Sequence, residues 1–270
     1  MATLNIAHRG GAALFPENTL AAFRNAIALG CDGAELDVQL SADGVAVVYH
    51  DVRLNPGYAC KDGAWLDGVM PRIKDMTLAK LRVFDIGRPR SGTDYARKHP
   101  DVTPSDGERI PTLEAVVALA RAAPDFRLLV ELKCDDTADS ADPVALADAA
   151  LKVVADADFL SRTIFVGFDW RALARVKQLQ PDAETWCTTT DAVEATPAPF
   201  AGIRAIGGAG WFPHHARLSV DAAALARSHG LKLAAWTVNA ASEMRRLDAL
   251  GVAAICTDRP DVLKALEQRG

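Results

Sequence analysis

The chain has 270 residues, of which 50% are hydrophobic, 6% are aromatic and 24% are charged, and its formal net charge is −5. A chain of this composition can bury a large core, and the negative charge without a run of lysine or arginine argues against nucleic acid as a partner. Its five cysteines have no CxxC spacing, which argues against a disulfide framework or zinc knuckle and favours a reducing, cytoplasmic location.

The chain begins MATLNIAHRG, without the basic and apolar regions of a signal peptide. No window reaches the roughly 20 apolar residues that a membrane-spanning helix requires. We therefore predict a soluble protein without a transmembrane segment.

Short apolar runs alternate with amphipathic segments rich in alanine and leucine, which is typical of a parallel α/β sheet or barrel. Eight runs predict strands at residues 4–7, 33–39, 128–133, 163–168, 184–188, 204–206, 232–238 and 253–257. Helices are predicted at residues 18–29, 112–122, 143–156, 170–179, 220–228, 240–250 and 260–267. Thr112 and Ser219 are predicted N-caps, and Pro143 and Pro260 suit a first helical turn.

One connection is too short for a helical crossover, because only residues 40–44 separate residues 33–39 from an extra strand at 45–49. Its Asp43-Gly44 turn predicts an antiparallel hairpin. If the turn is centred between Ala42 and Asp43, Glu35 lies opposite His50, whereas a shift of one residue changes which side chains share a face.

Residues 52–111 lack a clear periodicity, apart from a short helix predicted at 77–84. A segment of this length is too long for an ordinary loop. We expect an insertion that forms a functional cover or small subdomain at the face where the strands end.

The first predicted strand ends in His8-Arg9-Gly10. At the C-terminal end of a barrel strand, an ionisable side chain lies where active sites gather. Histidine can give or take a proton near neutral pH, and arginine carries a fork of donors suited to phosphate. A surface His-Arg pair in a loop is the alternative, and these residues alone leave both interpretations open.

Glu35 and Asp37 are two residues apart on the second predicted strand, so their side chains leave it on the same face. Carboxylates held together repel each other, and hard cations such as Mg²⁺ or Ca²⁺ prefer oxygen ligands. The pattern therefore favours a divalent metal site over a half-buried strand whose polar face meets water.

Four later residues are further candidates. His50 could transfer a proton, although a His-Asp dipeptide before a loop is more often a turn. Glu131 could complete a set of three carboxylates and Lys133 could neutralise a phosphate, with a structural ion pair as the alternative for each. Trp236 is expected to face the same way as Val238 and to form an apolar wall beside a substrate, or to pack in the barrel rim. The remaining histidines are assigned no chemistry: His99, His214, His215 and His229.

Seven motifs, in this order, resemble the glycerophosphodiester phosphodiesterase family: His8-Arg9-Gly10, Pro16-Glu17-Asn18-Thr19, Glu35-Leu36-Asp37, His50-Asp51, Glu131-Leu132-Lys133, Trp236-Thr237-Val238-Asn239 and Cys256-Thr257-Asp258. They cover nearly the whole chain, and their joint occurrence is more specific than any one motif. The resemblance implies an α/β fold of the TIM (β/α)₈ type, a single domain over residues 1–270, with residues 52–111 inserted after the hairpin of the second strand. Gly167-Phe168 departs from the family, where many relatives have a serine before the phenylalanine.

The resemblance also implies a cofactor and a pair of proton-transfer groups. Glu35, Asp37 and Glu131 would bind a divalent metal, either Mg²⁺ or Ca²⁺. His8 and His50 would act as general acid and base. These groups meet two needs of phosphodiester cleavage, since the nucleophile must lose a proton and the leaving alkoxide must gain one.

The substrate implied by the resemblance is a small-molecule glycerophosphodiester, hydrolysed to glycerol 3-phosphate and an alcohol. Arg9 and Lys133 would hold its phosphate, and Trp236 would lie beside it. Two other interpretations stay open: a phospholipase D-type reaction that gives a cyclic phosphate on the same barrel, and a non-catalytic protein that binds a phosphate ligand.

Overall fold

Eight parallel strands close into a barrel in the computed structural model, which describes residues 3–134, 137 and 139–267. The strands in chain order are β1 Leu4–Ala7, β2 Gly33–Leu40, β3 Ala46–Val48, β4 Cys60–Lys61, β5 Ala64–Trp65, β6 Arg127–Leu132, β7 Thr163–Gly167, β8 Glu184–Thr189, β9 Gly210–Pro213, β10 Lys232–Ala235 and β11 Ala254–Thr257. The order around the barrel is β1-β2-β6-β7-β8-β9-β10-β11, and β11 pairs with β1 to close it. The predicted barrel is therefore confirmed.

Helices surround this barrel and follow most of its strands. They are α1 Leu20–Ala28, α2 Leu78–Leu81, α3 Asp94–Lys98, α4 Leu113–Arg121, α5 Pro143–Asp156, α6 Trp170–Leu179, α7 Pro197–Ala205, α8 Val220–Ser228, α9 Ala241–Ala249 and α10 Pro260–Glu267. Short 3₁₀ turns lie at His8–Gly10, Ile73–Asp75, Leu160–Arg162 and His215–Arg217. No helix in the described part of the chain is long and apolar enough to cross a membrane.

Helix bounds follow the local sequence signals closely. Helices α5, α6, α8 and α10 have the predicted limits. Both predicted caps are confirmed, because Thr112 Oγ1 accepts from the backbone N–H of Ala115 at 3.2 Å and Ser219 Oγ accepts from that of Ala222 at 3.1 Å. The helix predicted at 77–84 is shorter and covers only Leu78–Leu81.

The predicted sixth strand is wrong. Residues 204–206 lie at the end of α7, a helix that the sequence analysis missed, and the strand is Gly210–Pro213. Phe200 and Ile203 of α7 are both buried, and their spacing of three residues is typical of one face of a helix. Strand β9 was not predicted because it begins with glycine and ends with proline, and both residues are depleted in strands.

The hairpin formed by β2 and β3 is antiparallel, as predicted, but its register differs by one residue from the one considered. Val38 pairs with Val48, and the backbone N–H of Tyr49 donates to the carbonyl of Asp37 at 2.9 Å. Glu35 and His50 are therefore not opposite each other in the ladder. The chain leaves the sheet after Val48, which still brings His50 to the end of the barrel.

Alternate residues along each strand point into or away from the barrel. The inward-facing apolar cluster consists of Ile6, Leu129, Ile164, Val166, Trp186, Phe212, Ala234, Ala254 and Cys256. A larger cluster lies between the strands and the helices. The same alternation directs Glu35 and Asp37 of β2, and Glu131 of β6, inward above this core.

Residues 52–111 contain the β4–β5 hairpin and helices α2 and α3. Most of a second apolar cluster comes from this segment, and Val47 and Tyr49 of the preceding chain complete it. Its members are Val47, Tyr49, Leu54, Tyr58, Ala59, Ile73, Leu81, Phe84, Ile86 and Ile110. We propose, as the sequence predicts, that this segment is a small subdomain inserted into a single-domain barrel. The separate cluster supports that division.

We predict that Gly210→Ala destabilises the barrel. A Cβ atom at Gly210 would lie 2.5 Å from Cδ1 of Trp186, a buried ring that packs edge-on against Phe212. Overpacking of this kind should lower the free energy of unfolding by about 1–3 kcal/mol, measured by urea denaturation. The control is Gly167→Ala on β7, where the nearest heavy atom to an added Cβ is 3.4 Å away. Equal stability of Gly210→Ala and the wild type would contradict the described packing.

Candidate active site

A cavity of about 300 Å³ opens at the C-terminal ends of the barrel strands. Its lining consists of His8, Arg9, Glu35, His50, Glu131, Lys133, Phe168, Phe212, Trp236, Thr237 and Cys256. The structure thus brings seven of the eight predicted site residues to one cavity. The eighth, Asp37, is buried beneath it and contacts Arg9 and Lys133.

Three carboxylates converge at the base of the cavity. Glu35, Asp37 and Glu131 each offer an oxygen, and these atoms all lie within 4.8 Å of one another. Neighbouring strands create this cluster, because Asp37 of β2 pairs directly with Glu131 of β6. The side chains of Glu35 and Asp37 are only 2% and 1% exposed, so water screens their repulsion poorly.

Two basic side chains offset part of this negative charge. Lys133 Nζ lies 2.9 Å from Glu131 Oε1 and 3.6 Å from Asp37 Oδ1, and Arg9 Nε lies 3.1 Å from Asp37 Oδ2. Burial alone would raise the pKa of Asp37, but the charges of Arg9, His50 and Lys133 outweigh it and lower that pKa well below its ordinary value. Asp37 is therefore an anion at neutral pH.

Glu35 has the opposite electrostatic environment. Burial, followed by repulsion from Asp37 and Glu131, raises its pKa well above the ordinary value, and the attraction of Arg9 does not compensate. Its Oε2 atom accepts the backbone N–H of Arg9 at 3.1 Å. Its Oε1 atom is buried and has no hydrogen-bond partner within the described residues. A buried carboxylate oxygen of this kind needs a cation or a donor.

This cluster fits a divalent cation. Its candidate ligand atoms are carboxylate oxygens, which Mg²⁺ and Ca²⁺ prefer, and Oε1 of Glu35 has no hydrogen-bond partner in the described part of the chain. Asn18, which was not predicted as a site residue, supports the arrangement by donating from Nδ2 to Asp37 Oδ2 at 2.8 Å. Glu35, Asp37 and Glu131 could therefore hold such an ion.

His8 is held from behind by a carboxylate. Its Nδ1 atom lies 2.6 Å from Asp258 Oδ1, and Asn239 donates to the other oxygen of Asp258 at 2.7 Å. Burial would raise the pKa of Asp258, but the hydrogen bonds with His8 and Asn239 and the charges of His8 and Arg9 together outweigh burial and lower the pKa to about 2. An ionised Asp258 can only accept, so Nδ1 of His8 carries the proton. The other ring nitrogen, Nε2, lies 3.8 Å from Glu35 Oε2.

His50, which follows β3, has a similar arrangement. Its Nδ1 atom lies 2.7 Å from Asp51 Oδ1, and Asn55 donates to Asp51 Oδ2 at 2.6 Å. Burial would raise the pKa of Asp51, but its interactions with His50, the hydrogen bond from Asn55 and the charge of Arg9 together lower it. Both histidines that line the cavity therefore have Nδ1 bound to an Asp that is itself bound to an Asn.

These supporting residues were not predicted as site residues. Asp258 follows β11 and Asn239 follows β10, so both lie where ionisable and polar groups at strand ends gather, which is a signal that could have identified them. Asp51 and Asn55 belong to a loop, and their contacts could not be read from spacing.

Aromatic side chains form one wall of the cavity. Trp236 contacts Phe168 edge-on at a centroid distance of 5.7 Å and His214 at 5.3 Å. The expectation that Trp236 and Val238 face the same way is wrong, because β10 ends at Ala235 and the chain turns. Trp236 packs with the inward-facing cluster, whereas Val238 belongs to the cluster under the helices.

Comparison with known proteins places this site in a family. Residues 8–262 match the model of the glycerophosphoryl diester phosphodiesterase family. A glycerophosphodiester phosphodiesterase from Caldanaerobacter subterraneus subsp. tengcongensis is 30% identical over 270 residues, which cover 100% of both chains.

Two solved structures share the fold at full length. A Silicibacter pomeroyi protein, named as a candidate glycerophosphoryl diester phosphodiesterase, is 30% identical with a TM-score of 0.89, and the match covers 98% of this chain and 95% of that one. An Oleispira antarctica phosphodiesterase, solved with the product sn-glycerol-3-phosphate, is 25% identical with a TM-score of 0.78, and the match covers 97% and 96%.

We predict that Mg²⁺ or Ca²⁺ stabilises the EDTA-treated protein. An ion that binds only the folded state, at a free concentration 100 times its Kd, adds about 2.7 kcal/mol to the free energy of unfolding. This gain should appear as a rise in Tm. Glu35→Gln and Glu131→Gln should abolish the rise. Glu114→Gln, which removes an exposed carboxylate from α4, should keep it. A rise of the same size in all three variants would contradict this site.

Proposed function

The chain belongs to the glycerophosphoryl diester phosphodiesterase family, and we propose that it hydrolyses glycerophosphodiesters to glycerol 3-phosphate and an alcohol with a divalent cation. One observation carries this proposal: carboxylates, basic side chains and two Asp-bound histidines line a single cavity. The product found in the Oleispira antarctica relative supports the same substrate class. The cytoplasmic location stays a prediction.

The cation, Mg²⁺ or Ca²⁺, would be held by Glu35, Asp37 and Glu131. When bound, it would neutralise charge on the phosphate and lower the pKa of water beside it. Asn18 would keep Asp37 in place through their hydrogen bond. The support for this role is the orphaned oxygen of Glu35 in a cluster of oxygen ligands.

Arg9 and Lys133 would bind the phosphate. Their side chains are 18% and 21% exposed, so each can reach a ligand in the cavity while ion pairs fix its position. Burial would lower the pKa of Lys133, but the neighbouring carboxylates of Glu131 and Asp37 raise it above the ordinary value. The pKa of Arg9 is also raised, so both groups are positive at neutral pH.

His8 and His50 would transfer the protons. Each presents Nε2 to the cavity because an Asp occupies Nδ1, so one ring can take a proton from water and the other can protonate the leaving oxygen. Trp236 and Phe168 would contact the carbon skeleton of the substrate.

We predict that the wild-type protein hydrolyses glycerophosphocholine, and that EDTA, His8→Ala and His50→Ala each remove most of this activity. Loss of a general acid or base should lower kcat about 10²- to 10⁴-fold. Glycerol 3-phosphate release measured by a coupled assay gives the rates. His229→Ala, at the end of α8 and outside the cavity lining, is the control and should keep wild-type activity.

Phosphorus NMR of the product separates the remaining alternatives. Linear glycerol 3-phosphate is expected. A cyclic phosphate that persists would show the phospholipase D-type reaction instead, and glycerophosphocholine binding without turnover would show a binding protein. Full activity in EDTA, with no metal left on the protein, would remove the cation from the proposal.

We predict that Asp258→Asn lowers kcat much more than KM. The amide can donate to Nδ1 of His8 as well as accept from it, so His8 would lose its fixed tautomer and the stabilising charge behind it. A fall in kcat of at least about tenfold is expected, since the equivalent charge-removing change in a histidine-aspartate pair can cost up to about 10⁴-fold. Steady-state kinetics provides the measurement, and unchanged kcat would contradict a role for Asp258 in positioning His8.

A further inference from the structure

The guanidinium of Arg9 lies among acidic side chains. Glu17 Oε1 accepts from Nη1 at 3.0 Å, and Asp37 Oδ2 lies 3.1 Å from Nε. The residue has a left-handed backbone, with φ of 51°, and its backbone N–H donates to Glu35. Arg9 also lines the cavity, so donors of its guanidinium beyond those next to Glu17 and Asp37 can serve a phosphate while Glu17 keeps its present orientation.

Glu17 is held by the inserted segment. Its side chain is 4% exposed, and its second oxygen, Oε2, accepts the hydroxyl of Tyr95 at 3.0 Å. Tyr95 belongs to α3, which is 78 residues further along the chain. A continuous chain of contacts therefore runs from the insertion through Tyr95 and Glu17 to Arg9.

The position of Tyr95 is itself fixed. Thr93 Oγ1 caps α3 by accepting the backbone N–H of Ala96 at 3.2 Å. The Tyr95 ring lies 4.6 Å from those of both Tyr58 and His99, measured between centroids. A Cβ at Gly57 would approach Tyr95 Cβ to 2.9 Å, so the backbone there is as close as it can be.

We infer that Tyr95 is a positioning residue for phosphate binding, acting through Glu17 on Arg9. Its hydroxyl occupies Oε2 of Glu17, which prevents this carboxylate from turning to bind Arg9 through both oxygens. Bidentate pairing is the geometry that an unrestrained Arg-carboxylate pair adopts most readily, and it would draw donors away from the cavity. The inference rests on the proposed function, in which Arg9 binds the phosphate.

Tyr95→Phe tests this inference, because it keeps the ring and removes only the hydroxyl. KM for glycerophosphocholine and the inhibition constant for glycerol 3-phosphate should both rise about 3- to 10-fold, with kcat changed less than about twofold, as expected for lost ground-state and transition-state binding alike. Tyr58→Phe is the matched control. Its hydroxyl is buried in the same ring cluster but has no hydrogen-bond partner within the described residues.

A double-mutant cycle separates action through Arg9 from a general effect on the fold. In an Arg9→Lys background, which lacks the planar fork, Tyr95→Phe should raise KM no further. An equal rise in both backgrounds, or wild-type KM in Tyr95→Phe, would overturn the inference. If the wild type has no turnover, the proposed function fails by itself. Calorimetric titration with glycerol 3-phosphate then compares the wild type with Tyr95→Phe, and equal affinities would overturn the inference there too.

Discussion

Electrostatic repulsion among buried carboxylates is the constraint on which the site depends. Glu35, Asp37 and Glu131 are held together by the pairing of β2 with β6, in a place where water screens them poorly. Such a cluster is stable only when positive charge lies next to it or when one of its carboxylates takes up a proton. Arg9 and Lys133 supply part of that charge, and the raised pKa of Glu35 shows that they do not supply all of it. A divalent cation would remove the remaining imbalance, so the same repulsion that strains the fold without the ion would favour binding the ion.

The barrel makes this arrangement possible because its strands are short and regular. A parallel ladder brings residues from distant parts of the sequence to the same height, so Asp258 of the last strand end can reach His8 of the first. Side chains alternate in and out, and the apolar inner cluster lies below the cavity, so the three carboxylates occupy inward positions above it. A buried polar group at that height must be satisfied by a neighbour at the same height. The His8-Asp258-Asn239 chain is satisfied in this way, by residues from three strand ends.

The sequence predicts most of this fold because the relevant signals are local. Capping residues and helical periodicity identify α4 and α8, and the two-residue spacing of Glu35 and Asp37 identifies a shared face. The missed elements, α7 and β9, lie where local preference conflicts with the fold, since β9 begins with glycine and ends with proline. The hairpin register considered from the sequence was also wrong. A shift of one residue changes the turn only slightly, so tertiary contacts decide the register. The contacts of Asp258, Asp51 and Asn55 depend on tertiary geometry, which spacing does not contain.

His8 and His50 are held by residues from different parts of the chain. His8 depends on Asp258 and Asn239, which follow the barrel strands themselves. His50 depends on Asp51 and on Asn55, whose backbone N–H donates to the Tyr49 hydroxyl under the inserted segment. The phosphate-binding role proposed for Arg9 also depends on that segment through Glu17. Substitutions in the insertion would therefore affect His50 and Arg9, the proposed proton-transfer and phosphate-binding residues, together, whereas His8 is held by residues that follow the barrel strands. Because Arg9 Nε also lies 3.1 Å from Asp37 Oδ2, a shift of Arg9 would reach the carboxylate cluster as well, so the inserted segment is linked to that cluster through Arg9.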